Sequence, residues 1–174
     1  KKLEKDISEN FKINFNLSKN LNYNFFPKPH FIIQDAIINY KEKDISEINK
    51  LKIYLTLGNL FSLKDLKLKN VIIENANFTL NKVNHEFFIK LLKNDFKNST
   101  LKIYNSNIFF ENLQNEILFI NKILEMKYFY NPKELKNILY SKNELFNLPY
   151  EILIDNNEIE KKLKSKINLN FLRL

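Results

Sequence analysis

Three ten-residue stretches, "FIIQDAIINY" at 31–40, "VIIENANFTL" at 71–80 and "LKIYNSNIFF" at 101–110, repeat one pattern with a fault in its middle. Each carries isoleucine at its third place (Ile33, Ile73, Ile103), Asp or Asn at its fifth (Asp35, Asn75, Asn105) and a small residue at its sixth (Ala36, Ala76, Ser106). Apolar residues return at the eighth place with Ile38, Phe78 and Ile108, and at the tenth with Tyr40, Leu80 and Phe110. Places three and eight are five apart, an odd number, so a straight strand would send them to opposite faces of a sheet. An Asp or Asn tolerates unusual backbone angles and a small neighbour accepts crowding, so this pair predicts a bulge or tight bend that returns both halves to one face. Recurrence at intervals of 40 and 30 residues marks a repeated sheet device.

Elsewhere the dominant signal is period two. Phe11, Ile13, Phe15 and Leu17 alternate with polar residues, as do Leu21, Tyr23 and Phe25, then Leu51, Ile53, Leu55 and Leu57, and finally Ile167, Leu169 and Phe171. Such strands have one apolar and one wet face, which argues for antiparallel sheet rather than a parallel α/β core. Pro27 and Pro29 in "FFPKPHF" (25–31) remove amide donors between two strand-like runs and force an extended corner. "NHEFFIKLLKNDF" (84–96) predicts the one short helix, capped by Asn84, with Phe88, Leu91, Leu92 and Phe96 on one side. Gly58 ends a strand, and Leu60, Phe61 and Leu63 make a short step. Residues 130–150 read either as a strand or as a loop with a helical turn, and Asp155–Asn157 as a hairpin turn.

The 174 residues are enough for one domain with a real core, and 44% of them are hydrophobic. The chain holds 29 asparagines but two alanines, one glycine and one arginine, the composition of an AT-rich genome. That bias discounts the +8 net charge as a sign of a polyanionic partner. It also marks Ala36, Ala76 and Gly58 as places that require a small residue. No cysteine means no disulfide, thiolate metal site or thiol nucleophile, and no apolar run is long enough to span a bilayer.

Enzymatic motifs are missing. His30 and His85 are isolated, and no glycine-rich phosphate loop, H-E-x-x-H or G-x-S-x-G occurs, so the sequence predicts no catalysis, no cofactor and no metal. Aromatics such as Tyr104, Phe109 and Tyr128 could stack on bases, but the lysines are spread along a solvent face without arginine clusters, so no nucleic-acid partner is predicted.

From Phe26 to Leu80 the chain resembles the opening region of AsmA-like proteins. Leu51, Ile53, Leu55 and Leu57 occupy the alternating strand of that pattern, and Leu66, Leu68, Val71, Ile73, Ala76, Phe78 and Leu80 its closing motif. "STLKIYNSNIFFEN" (99–112) looks like the next repeated strand pair, and 147–174 like a further hairpin. The resemblance implies a non-enzymatic envelope protein of a Gram-negative bacterium, periplasmic and anchored to the inner membrane. Its apolar sheet face would conduct phospholipid or other lipid toward the outer membrane. The usual amino-terminal anchor is absent, so 1–174 reads as a single β-groove domain from a longer chain.

The expected fold is mainly β: a curled antiparallel sheet of about ten strands with one apolar concave face and one short helix. The expected groove lining is Ile33, Ile38, Leu51, Ile53, Leu55, Leu57, Ile73, Phe78, Ile103, Ile108, Ile167 and Leu169. A sheet with one continuous apolar face must close, pair with another sheet or hold something greasy. The alternative is therefore a closed β-sandwich serving as a protein-interaction domain of the envelope.

Overall fold

The computed structural model describes residues 2–11, 13–18, 20–56, 67–157 and 162–169. Ten strands form one mainly antiparallel sheet: β1 (Asn14–Asn16), β2 (Leu21–Asn24), β3 (His30–Tyr40), β4 (Lys43–Leu55), β5 (Leu68–Leu80), β6 (Thr100–Glu111), β7 (Ile117–Asn131), β8 (Lys136–Leu145), β9 (Leu148–Asn157) and β10 (Lys162–Leu169). Helices α1 (Lys2–Phe11) and α2 (His85–Leu92) complete it. Strands β3 to β10 lie in chain order, while β1 and β2 share the outer edge of β3. The sheet is not closed into a barrel, and no second sheet faces it among the described residues, so the sandwich alternative fails. Two-residue turns with both φ angles positive join β3 to β4 at Lys41–Glu42 and β8 to β9 at Phe146–Asn147, the geometry that matches strand twist.

The repeated unit bends where the sequence says it should. Asp35, Asn75 and Asn105 all adopt left-handed φ, at 57°, 55° and 48°, a region Asp and Asn enter at lower cost than other side chains. Across each bend the apolar phase recovers: Ile33 and Ile38 are both buried, as are Ile73 and Phe78. The register puts Asp35 beside Asn49 of β4, Asn49 beside Asn75, and Asn105 beside Leu124 of β7. The ladder between β5 and β6 is interrupted at Asn75 and Asn105. One crease thus crosses five strands, from β3 to β7. It ends at a β-bulge, because Leu124 is an extra residue against β8, whose own burial alternates without a break.

Small residues are needed along this line for two reasons. Ala36 and Ala76 flank Ile48 in one cross-strand row, and all three are buried. In the third copy a serine replaces alanine because the interrupted ladder leaves an amide to satisfy. The Ala76 amide donates to Ser106 Oγ at 3.0 Å, and Ser106 Oγ donates to the Tyr104 carbonyl at 2.8 Å.

Several expectations need correction. Residues 11–17 are not one strand: α1 runs through Phe11, placing Leu3 and Ile7 one turn apart in the core, and only 14–16 pair with β3. Among the described residues there are therefore two helices, not one. The second stops at Leu92, so Phe96 enters the core from the following loop. Asn84 stands at its N-cap without capping through its side chain, which accepts from the Asn81 amide and donates to the Thr79 carbonyl. Strands β5 and β6 are parallel, since α2 carries the chain back across the sheet between them. Asp155–Asn157 lie within β9 rather than in a turn. Residues 130–150 resolve into β7's end, a turn, β8 and the start of β9. Gly58, Leu60, Phe61 and Leu63 lie outside the described residues.

Candidate functional site

The apolar face of the sheet has two parts. Over β3 to β6 it is sealed. Ile33, Ile38, Leu51, Ile53, Leu55, Ile73, Phe78 and Ile103 are buried in one cluster, with Ile108 packed against it. Leu57, also expected in the lining, lies outside the described residues. Leu3 and Ile7 of α1 join the cluster, and Phe87, Phe88 and Leu91 of α2 pack over Ile38, Ile73 and Ile103. Between α2 and the sheet remains a wholly apolar cavity of about 50 Å³, too small for an acyl chain.

Polar contacts fasten α2 at both ends. At its start Glu86 Oε2 accepts from Lys41 Nζ at 3.0 Å and from the Tyr40 hydroxyl at 3.1 Å. The hydrogen bond from Lys41, followed by that from Tyr40, holds the Glu86 carboxyl below its ordinary range, and the same contact raises Lys41. At its end the Leu92 carbonyl accepts from the Tyr128 hydroxyl, and the Tyr128 ring lies 4.1 Å from that of Phe96. Burial, then Asp95, pushes the Tyr128 phenol well above its usual value, so it stays a neutral donor.

Among the described residues the same face is half-buried over β9 and open over β10. The register carries the inner face from Leu139 and Ser141 of β8 to Ile154 and Ile152 of β9, then to Ser165 and Ile167 of β10. Ile167 is 59% exposed and Leu169 47%, with Leu163 and Leu148 similarly open. The two expected lining residues at this end therefore share a face with the core but belong to an open strip. Every residue of β10 is exposed. A strand of eight residues spans about 26 Å, longer than one leaflet's share of a hydrocarbon core about 30 Å thick. Lys162, Lys164 and Lys166 alternate with the apolar residues and so lie on the opposite face.

Between the sealed and open parts runs a polar seam that sequence reading missed. Asn121 of β7 and Asn137, Ser141 and Asn143 of β8 are all buried on the inner face. The Tyr150 hydroxyl donates to Asn121 Oδ1 at 2.6 Å, and Ser141 Oγ donates to Asn143 Oδ1 at 2.9 Å. Burial raises the Tyr150 phenol above its ordinary value, so it too remains protonated. The signal was available as polar residues in the inward phase of β8, but a search for apolar alternation passes over it.

The outer face is polar. Lys52 and Lys50 pair with Glu74, and Lys122 with Glu144, which spends part of the basic surplus on neighbouring strands. A shallow apolar depression lined by Phe109, Ile120 and Phe146 interrupts it. His30 stacks on Tyr54, and each histidine bonds a backbone carbonyl through Nδ1. Among the described residues no group of three His, Cys, Asp or Glu is placed to hold a metal, and no helix is long and apolar enough to cross a membrane. No protein-family model and no curated protein matches the sequence.

Proposed function

We propose that this chain is a non-enzymatic lipid-holding module of a bacterial envelope. The observation that carries the proposal is the open row of Leu148, Leu163, Ile167 and Leu169, with half-buried Ile152 between them, continuing the face that elsewhere forms the core. Soluble proteins seldom leave so regular an apolar row in water, because covering it contributes about 25 cal/mol per Å². A lipid acyl chain fits a row that is long, narrow and without directional partners. The sealed part over β3 to β6 then acts as a stop at one end of the groove, not as its floor. The resemblance to AsmA-like proteins supports a periplasmic setting, attachment to the inner membrane in the full-length protein, and movement of phospholipid between membranes.

One observation favours a second reading. Strand β10 pairs only with β9 among the described residues, so its outer edge offers free backbone groups to a strand from another protein. Native mass spectrometry after incubation with phosphatidylethanolamine vesicles separates the two. A lipid-holding module retains a phospholipid mass, and Ile167→Asp, which puts a charge in the path of the chain, lowers that occupancy about tenfold or more. A wild-type protein that emerges free of lipid contradicts the proposal and leaves strand addition.

A further inference from the structure

Asn143 has a hydrogen-bond donor with nowhere to go. The residue is 2% exposed, its Oδ1 is taken by Ser141, and its Nδ2 has no partner. Leaving a buried amide donor unpaired is costly, and folded proteins rarely do so without a use for it. Its surroundings suggest the use. Asn143 stands opposite Tyr150 of β9, and Tyr150 stands opposite Leu169 of β10; the next rung is Ser141, Ile152 and Ile167. The orphan donor therefore sits at the edge of the open apolar strip. The Tyr150 side chain reaches from β9 to Asn121 on β7, so it crosses β8 beside Asn143.

We infer that Asn143 is a polar subsite for the acyl ester carbonyl of a lipid whose hydrocarbon chain lies over Ile152 and Ile167, and that Tyr150 is its cover. The inference rests on the lipid-holding reading and makes it specific. A carbonyl oxygen is the matching group because the free atom is a neutral donor: it satisfies Nδ2 without bringing a charge into a face built from isoleucine and leucine. To admit it, the Tyr150 ring swings toward solvent and its hydroxyl leaves Asn121. That movement exchanges one buried hydrogen bond for another and opens the strip to the polar seam. An amphiphile is thus held at two points, its carbonyl at the seam and its tail on β9 and β10.

The test compares two probes of similar length delivered from cyclodextrin, methyl laurate, which has the carbonyl, and tridecane, which lacks it. Wild-type protein should bind methyl laurate about tenfold more tightly than tridecane, the range of one well-made neutral hydrogen bond. Asn143→Leu should erase that preference by weakening the ester about tenfold while leaving the alkane unchanged. Its thermal midpoint should fall only modestly, since the variant removes one unsatisfied donor but takes the acceptor from the buried Ser141 hydroxyl. Equal affinity of the wild-type protein for both probes, or equal weakening of both by Asn143→Leu, overturns the subsite and leaves the groove standing. Binding of neither probe overturns the lipid-holding reading, and the subsite with it. Should Asn143→Leu not fold, Tyr150→Phe decides: freed from Asn121, the cover should raise ester affinity several-fold with no change for tridecane, and no gain overturns the inference.

Discussion

Replacing Leu51 by aspartate is expected to unfold the protein. Leu51 lies at the centre of β4 between Ile33 of β3 and Ile73 of β5, and none of the three exceeds 1% exposure. Removing such a side chain costs about 2 to 5 kcal/mol in lost burial and cavity. The carboxylate then stands without a partner among isoleucines, at a further cost of several kcal/mol. Together these approach the whole stability of a domain, about 5 to 15 kcal/mol. Leu55 belongs to the same sealed cluster, so aspartate there should also be lost to unfolding. Ile167→Asp should keep its fold, because that side chain is already open to water. Circular dichroism on both variants checks the division of the face: a folded Leu51→Asp protein would mean that α1 and α2 do not seal this end.

Enlarging the small residues of the crease should cost nearly as much. Ala36→Leu and Ala76→Leu each force extra carbon atoms into the row shared with Ile48, where all neighbours are buried and the adjoining Asp35 or Asn75 is already in left-handed φ. Overpacking of this kind costs about 1 to 3 kcal/mol. Because the two alanines contact the same isoleucine row from β3 and β5, the double variant should depart from additivity. Urea unfolding measures each value and the coupling. Midpoints equal to wild type for both single variants would show that the crease does not depend on small side chains.

The crease was legible because steric rules act locally: an odd apolar spacing around an Asp or Asn and a small residue leaves few other solutions. Alternation likewise gave most strands their inner face. What escaped reading was set by contacts distant in sequence. Phe11 continues an alternation that reads as strand, yet Leu3 and Ile7 carry the one-turn spacing of a helix, and that period governs residues 2–11. Alternation suggested antiparallel neighbours, but the connection that holds α2, from Leu80 to Thr100, is long enough to return the chain, so β5 and β6 run parallel. The β3, β5 and β6 copies therefore point the same way, which lets their bends align across the sheet.

The candidate site was legible only at its far end. Ile167 and Leu169 lie on the open strip, whereas the lining residues expected over β3 to β6 share that face but are buried in a cluster that α1 and α2 join, a docking no strand pattern announces. The polar seam was hidden because β8 mixes Leu139 with Asn137, Ser141 and Asn143 on one face, which blurs the alternation used to find strands. That blur is also why residues 130–150 allowed two readings.

The division of the face into a sealed and an open part, and the assignment of lipid to the open one, are tested most directly by a phospholipid with a photoreactive acyl chain. The protein is loaded from vesicles and irradiated, and the labelled peptides are mapped by mass spectrometry. Label is expected on β9 and β10, at Leu148–Asn157 and Lys162–Leu169, with little on the buried face of β3 to β6. Label concentrated beneath α2, or on the outer face around Phe109 and Ile120, would contradict that assignment.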